Sequence, residues 1–466
     1  MIEAWPFDHC RGRCQYENAR QAPAMPDILL AGHQCRRGWR MAKKPHYDWN
    51  IGEPLPKLGL HSFAKHQIFD AYISAYIRTL TKSHLTRKLK LTLVDGFCGG
   101  GRYVMGADEV DGSPLRMLAS VEKAQAELDA ARARGLEIEA EFVFVDANRK
   151  HVDFLREVLR QRGYEARIGK DIHIYTSKFE DVSDEIIRRI QAKGRAHRSL
   201  FFLDQYGWSA VTFATIRQIM ASLQNPEVVL TFMVDHLVNL LTEKMIDTPG
   251  LSAIDLRRED VQDMLQMKEQ RGWKRLIQNT LYEHIQQNTG ASYYTPFFIH
   301  PEGGSNRDYW LLHLSRHHQA REEMGKIHWQ HENTFEHFGR AGFNSLGFMP
   351  GVDVREDMLE FGFNDNARTR SEAAVVDQLA KMLHARAAAG EVPLTKKQLF
   401  LANCNDTPVI SSIVDASLVT LREAKDIRII TPDGAVRRSA MQMGWDDRIE
   451  LVASPTLFSL LGQRAA

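Results

Sequence analysis

Short apolar runs alternate with amphipathic stretches through the middle of the chain. Five runs have the length of a buried strand, and they occupy 91–97, 141–147, 172–179, 199–207 and 227–234. The stretches between them place apolar residues three or four positions apart, the spacing of one helix face, at 115–134, 151–163, 181–194 and 210–223. Strands that alternate with helices predict a parallel sheet covered by helices on both faces.

The pattern changes after the fifth strand. Residues 237–288 predict a helical insertion, and 292–300 and 309–315 predict two strands joined by a Gly-rich loop. Five parallel strands followed by an antiparallel hairpin is the order of class I methyltransferases, whereas a dehydrogenase fold would continue with another crossover helix. The sequence therefore predicts an α/β, Rossmann-like class I methyltransferase sheet within residues 46–335.

The C-terminal quarter has a different pattern. Loop-rich residues 336–370 predict a linker, and 371–466 predict three helices followed by a β-wing, the order of a winged helix-turn-helix domain. Four Lys and seven Arg balance eleven acidic residues in 371–466. Because nucleic-acid binding relies on excess positive charge, two roles stay open for this domain: protein docking, or nucleic-acid binding through Arg437 and Arg438.

Composition limits the class of protein and its compartment. The formal charge is +1, so the whole chain has no strong attraction for nucleic acid. Five scattered cysteines predict a reducing cytoplasm rather than a disulfide framework. No run of 18 apolar residues and no secretory signal is found, which predicts no membrane span. Residues 1–45 show no periodic pattern of apolar positions, which predicts a disordered extension. The alternative is that translation starts at Met41 and the residues before it are not part of the protein.

A glycine-rich turn follows the first strand. In the segment LVDGFCGGG (93–101), Asp95 ends the strand and Phe97, Gly99 and Gly101 form the turn. Glycines let the backbone approach a ligand closely because a Cβ there would collide with it. Cys98 within the turn fits either a nucleophile or a small buried side chain.

Acidic residues follow the next two strands. Asp146, near Asn148, ends the second strand and predicts a contact with ribose hydroxyls, and Glu180 after the third predicts a contact with an adenine amine. The alternative for each acid is a helix cap or a first-turn charge. Ligands bind at the carboxyl ends of parallel strands, so three acids at three successive ends favour a cofactor site.

S-adenosylmethionine and NAD compete as the predicted cofactor. The terminal hairpin and the Asp-x-Phe-x-Gly-x-Gly form of the turn favour S-adenosylmethionine over NAD, which binds Gly-x-Gly-x-x-Gly turns. Lys65 lies in the leading helix, 62–80, where it would meet the methionine carboxylate or remain a solvated charge.

The fourth strand ends in Asp204-Gln205-Tyr206-Gly207. Amino-methyltransferases carry an Asp/Asn-Pro-Pro-aromatic tetrapeptide at this place, where the acid or amide accepts from the target amine and the aromatic ring stacks on the target. Asp204 and Tyr206 are therefore the candidate catalytic residues, although both prolines are absent. The alternative makes Asp204 structural and Tyr206 part of the core.

Four stretches resemble the three-Cys-motif partner proteins, TcmP. They are His61–His66, Val94–Gly101 with Gly112–Leu115, Phe202–Gly207 and Tyr309–Ser315. The resemblance implies a Rossmann methyltransferase-like fold and pairing with a partner protein that carries the three-Cys motif. Gln205 departs from the family, which usually has Asp-Pro-Tyr/Phe-Gly.

Two functions from different classes follow. One is a methyltransferase acting on an amine, including a nucleic-acid base. The other is a non-catalytic adaptor that binds S-adenosylmethionine or a related nucleotide and docks a partner. No carboxylate pattern completes a metal site with the histidines, which are His313, His317, His318, His328, His331 and His337.

Overall fold

A computed structural model describes the chain from Tyr47 onward with gaps. The described residues are 47–132, 135–270, 273–299, 309–330, 336–337, 361–362, 365–390, 393–407, 409–437 and 443–452. The predicted extension, His331 and Arg438 lie outside them.

Nine strands form the main sheet. Five are parallel: β1 (Lys88–Asp95), β4 (Glu137–Asp146), β5 (Ile172–Thr176), β6 (Arg198–Leu203) and β7 (Pro226–Phe232). The others are β8 (Tyr293–Ile299), β9 (Tyr309–Ser315), β10 (Glu336–His337) and β11 (Phe361–Gly362), and the sheet order is β11-β10-β8-β9-β7-β6-β1-β4-β5. Antiparallel β9 lies between β7 and β8. The five parallel strands and the terminal hairpin are therefore confirmed.

A small hairpin after the glycine turn was not predicted. It joins β2 (Arg102–Met105) to β3 (Asp108–Asp111). Both strands have four residues, too few for an alternating pattern to stand out in the sequence. Strands β10 and β11 lie within the predicted linker, and each adds a two-residue strand to the edge of the main sheet next to β8.

Helices cover both faces of the sheet. On one face lie α1 (Leu60–Leu80), α2 (Ser113–Ala131), α3 (Arg149–Gln161) and α10 (His318–Gln330). On the other lie α4 (Phe179–Gln191), α5 (Phe213–Ser222), α6 (Val234–Leu240), α7 (Pro249–Ala253), α8 (Arg258–Met267) and α9 (Trp273–Asn288). In β1, Leu91 and Leu93 face the first layer and Val94 the second, as expected for a central strand buried on both sides.

The C-terminal segment adds three helices and a second sheet. The helices are α11 (Asp365–Ala388), α12 (Lys396–Leu401) and α13 (Ser411–Glu423). Strands β12 (Leu394–Thr395), β13 (Ile427–Ile430) and β14 (Arg448–Leu451) form an antiparallel sheet in the order β12-β14-β13. Thr395 and Gln398 form a capping box at the start of α12.

This segment packs directly on α10. Arg321, fully buried, donates to the carbonyl oxygens of Thr407 and, at 2.7 Å, Val409. The apolar core on that side of the main sheet continues into α11 and α13. Across the described ranges, no helix combines the length and apolar character that crossing a membrane requires.

Candidate functional site

Three carboxylates converge where the central strands end. Asp95 ends β1, Asp146 ends β4 and Asp204 directly follows β6. Parallel pairing aligns these ends at one edge, since Asp95 lies in register with Phe144 of β4 and Phe202 of β6. Burial raises the pKa of Asp95, and the charges of Asp204 and Asp146 raise it further. Asp95, Asp146 and Asp204 therefore lie at the same edge of the sheet.

Asp95 is the most buried of these acids. Its side chain is shielded from solvent, its Oδ1 accepts the Phe97 N–H at 3.1 Å, and its Oδ2 accepts no hydrogen bond from the residues that the structure describes. Burial raises the pKa of Asp95 to about 7, against the lowering effect of the Ser113 hydroxyl and the Phe97 N–H. A buried carboxylate oxygen without a donor is costly, so this position suits a donor supplied by a ligand.

Asp146 holds the glycine turn against the second strand. Its Oδ2 accepts the Gly99 N–H at 3.0 Å, and its Oδ1 accepts the Asn148 N–H at 2.8 Å. His151 Nδ1 lies 3.1 Å from Oδ1. A carboxylate has about four acceptor sites, so Asp146 keeps capacity for one more donor. Asn148 also accepts the Lys150 N–H at 3.0 Å and begins α3 as its N-cap.

The indole of Trp49 lies on the glycine turn. A Cβ on Gly99 would come within 2.7 Å of the indole, and one on Gly100 would overlap it. Trp49 Nε1 donates to the Arg102 carbonyl at 2.6 Å, and its ring packs edge-on against Tyr103. The space that the missing Cβ atoms of Gly99 and Gly100 leave open is therefore filled by the Trp49 side chain. Sequence reasoning missed this contact, because nothing local marks the partner of an isolated Trp.

Gly101 packs against a different residue, Leu155. Its φ is +80°, in the region that favours glycine, and a Cβ there would meet Leu155 of α3 at 2.9 Å. Its carbonyl accepts the Gly112 N–H at 2.8 Å, which ties the turn to the start of α2. Gly101 therefore shapes the turn and its helix packing.

Lys65 forms an ion pair with Asp204. Its Nζ lies 2.5 Å from Oδ1 and 2.7 Å from Oδ2, and Thr231 donates to Oδ1 at 2.6 Å. The Lys65 side chain is 7% exposed, so it is not a solvated helix charge. Burial alone would raise the pKa of Asp204, but the charge and hydrogen bonds of Lys65, with the Thr231 hydroxyl, lower it. Asp204 is therefore held as the anion.

His66 adds no positive charge to this pair. Burial, with the nearby Arg116 charge, lowers the pKa of His66 to about 3. The imidazole is therefore neutral at physiological pH. Arg116 itself pairs with Asp70 at 2.6 Å.

The residues after Asp204 divide into one buried and one exposed side chain. Gln205 is buried, and its Oε1 accepts the N–H groups of Ala210 at 2.8 Å and Val211 at 2.9 Å. Tyr206 is 46% exposed, which contradicts the alternative that it belongs to the core. Gly207 has φ +97° and lets the chain turn away beyond it.

Glu180 caps a helix. Its Oε1 accepts the Thr212 N–H at 2.7 Å, and its Oε2 accepts the Thr215 hydroxyl at 2.7 Å. Both oxygens therefore bind the first turn of α5. These bonds correspond to the helix-capping alternative for Glu180. Sequence alone could not place it, because the capped helix is the next one along the chain.

Two other candidates have structural surroundings. Cys98 is buried, and burial followed by the charges of Asp95 and Asp146 raises the pKa of its thiol well above the usual value. This favours the packing alternative over a nucleophile. His313 lies 3.0 Å from the Tyr72 hydroxyl in a buried contact. Within the part of the chain that the structure describes, no three potential ligands cluster around a metal position.

The comparisons with known proteins give distant likenesses. No protein-family model matches the chain, and no curated protein does. Solved structures that resemble it include spermidine synthase from Thermotoga maritima, at 10% identity over 57% of this chain and 63% of that one, with a TM-score of 0.29. Cofactor-bound Rv0187 from MTB matches at 13% identity over 54% and 80%, with a TM-score of 0.27.

A third is TYW2 from P. horikoshii in complex with MeSAdo, at 9% identity over 56% and 66% of the two chains and a TM-score of 0.23. The chain spans less than two thirds of the length of the spermidine synthase structures. The observed strand order, rather than these distant likenesses, defines the fold.

Proposed function

We propose that this protein binds S-adenosylmethionine at the edge where Asp95 and Asp146 meet, and that it is a methyltransferase acting on an amine. The observation that carries the proposal is the buried Oδ2 of Asp95, to which none of the described residues donates, beside a glycine turn held by Asp146. The cofactor has hydrogen-bond donors at its ammonium group and its ribose hydroxyls. Both kinds of donor suit carboxylates at strand ends.

The proposed cofactor residues are those around the turn. Asp95 would accept from the ammonium group, and Asp146 and Asn148 would contact the ribose, with Phe97 beside the ligand. Gly99 and Gly100 are left out because the Trp49 indole covers them, and Gly101 because it packs against Leu155. Glu180 is left out because α5 uses both of its oxygens. Bound S-adenosylmethionine would supply an electrophilic methyl group on a sulfonium.

Asp204 and Tyr206 would receive the methyl acceptor. Asp204 is held ionised and partly accessible, with 29% of its side-chain surface exposed, so it can accept an N–H from the substrate. An exposed ring two residues further offers a stacking surface for a planar acceptor such as a nucleobase. This arrangement supports an aromatic or base-like amine as the substrate.

Transfer of a radiolabelled methyl group tests the enzymatic proposal. The purified protein would be incubated with labelled S-adenosylmethionine and with RNA, DNA or protein fractions from its host. Asp204→Asn should abolish labelling while cofactor binding survives, and Asp184→Asn, on the exposed face of α4, should label normally. Equal labelling by wild type and Asp204→Asn would contradict the assignment of Asp204.

A second function, a cofactor-binding adaptor, is favoured by one observation. Lys65 already occupies both oxygens of Asp204, which leaves the carboxylate less available to a substrate. In this case cofactor binding would persist without methyl transfer. The resemblance to three-Cys-motif partner proteins supports a partner that carries that motif, and co-purification of the two proteins tests it.

The C-terminal segment supports a docking role. We interpret its order of α11, β12, α12, α13 and the β13–β14 hairpin as a winged helix. At the start of α13, Ser411 binds Glu322 and Asp415 pairs with Lys396 at 2.6 Å, so neither is available to a phosphate or base. We therefore favour a protein-docking module over a nucleic-acid reader. A gel-retardation assay that shows salt-sensitive binding through this segment would reverse that choice.

A further inference from the structure

Two side chains from separate elements fix the carboxylate of Asp204. Lys65 reaches it from α1 with contacts to both oxygens, and Thr231 reaches Oδ1 from β7. Lys65 is almost fully enclosed, whereas Asp204 retains accessible surface. In this ion pair, Lys65 is therefore enclosed by the protein, whereas the Asp204 carboxylate is partly accessible to solvent.

Other contacts hold the loop after Asp204: the Met233 N–H donates to the Gly207 carbonyl at 3.0 Å, and the Gly207 N–H donates to Met233 Sδ at 3.0 Å. No proline follows Asp204, and Gly207 adopts a positive φ two residues after Gln205. The Gln205 side chain is directed to the backbone of Ala210 and Val211 instead of to the carboxylate. The orientation of the Asp204 carboxylate itself therefore depends on Lys65 and Thr231.

The positive charge of Lys65 balances the negative charge of Asp204 within the ion pair. The ionisable groups whose charges influence one another here are Lys65, neutral His66, Asp95, Tyr103 and Asp204, and Asp146 lies at the same edge of the sheet. The cation beside Asp204 is Lys65, since Arg116 is committed to Asp70. An ion pair with no net charge attracts a cationic ligand far less than a lone carboxylate does.

We propose that Lys65 is the positioning residue of Asp204 and sets the charge of the substrate that this site accepts. The proposal rests on the proposed function. Because Lys65 neutralises Asp204, the site takes a neutral N–H, as in an exocyclic amino group or an amide, rather than an alkylammonium. The carboxylate has about four acceptor sites and three are filled, so one hydrogen bond from the substrate completes the set.

Titration of the Asp204 carboxyl carbon tests the positioning role on the protein without cofactor. Aspartate would be labelled with carbon-13 at the carboxyl group, and the Asp204 resonance assigned by its loss in Asp204→Asn. Lys65→Met should move the ionisation midpoint of Asp204 upward, Lys65→Arg should keep it near the wild-type value, and Lys170→Met, an exposed control, should leave it unchanged. An unmoved midpoint in Lys65→Met would overturn the proposal.

Two small probes of similar shape test the charge preference. Benzamide is neutral and benzylammonium is cationic, and both present a ring to Tyr206. The wild-type protein should bind benzamide at least as tightly as benzylammonium. Lys65→Met should shift the ratio of the two affinities toward benzylammonium by about tenfold or more. A wild-type preference for benzylammonium, or an unchanged ratio in the variant, would overturn it. Neither measurement requires methyl transfer, so failure of the enzymatic proposal remains distinguishable.

Discussion

The carboxylate of Glu322 on α10 accepts the backbone N–H of Ser411, the first residue of α13, at 3.0 Å and 3.1 Å to its two oxygens. The Ser411 hydroxyl donates to the same group at 2.5 Å. Glu322 is fully buried, so an anion at the start of a helix joins the C-terminal segment to the main sheet. Hydrogen bonds to a buried charge are among the stronger polar contacts in proteins.

Glu322→Gln should therefore destabilise the protein by about 1.5–3 kcal/mol, the range for a hydrogen bond to a charged group. Glu323→Gln is the matched control, because Glu323 is adjacent on the same helix and pairs with Lys326 nearer the surface. Urea denaturation followed by tryptophan fluorescence measures both. Equal midpoints for the two variants would show that the Ser411 contact contributes little.

Gly100→Ala should be destabilising because the new methyl group would overlap the Trp49 indole. Overpacking of this kind costs about 1–3 kcal/mol. The same substitution in a Trp49→Ala background should cost much less, since the colliding ring is gone. A thermal-denaturation cycle of the four proteins gives the coupling, and Gly135→Ala, with open space around its Cβ position, is the control. Additive effects would contradict the contact.

Asp95 should make stability fall as the pH rises from about 4 to about 7. Its pKa in the folded protein is about 7 against an ordinary 3.8, so the folded state retains a proton that the unfolded state has released. This group contributes at most roughly 4 kcal/mol to the free energy of unfolding. The contribution is fully present below the pKa of Asp95 in the unfolded state and is lost by about pH 7. Asp95→Asn should remove this slope. A variant with the wild-type pH profile of urea midpoints would contradict the assignment.

Glu180→Gln should lower stability by about 1 kcal/mol without weakening cofactor binding, because its oxygens cap α5 rather than contact a ligand. Asp181→Asn, at an exposed position in the same first turn of α4, should be nearly neutral. Calorimetric titration with S-adenosylmethionine, together with thermal denaturation, separates the two effects. A tenfold loss of affinity in Glu180→Gln would restore the adenine contact.

The strands and their acids could be predicted because their signals are local. Asp95 and Asp146 end apolar runs, and parallel pairing brings such ends together. The pairing of Lys65 with Asp204 could not be predicted, because it joins residues 139 positions apart and depends on how α1 crosses the sheet. The cover that Trp49 forms over the glycines is equally non-local.

Binding of S-adenosylmethionine to the purified protein, measured by calorimetry beside NAD, tests the central claim most directly. The account predicts one site per chain for S-adenosylmethionine, no binding of NAD, and at least about tenfold weaker binding in Asp146→Asn, which loses a charged acceptor for the ribose hydroxyls. Binding of NAD alone, or wild-type affinity for S-adenosylmethionine in Asp146→Asn, would contradict it.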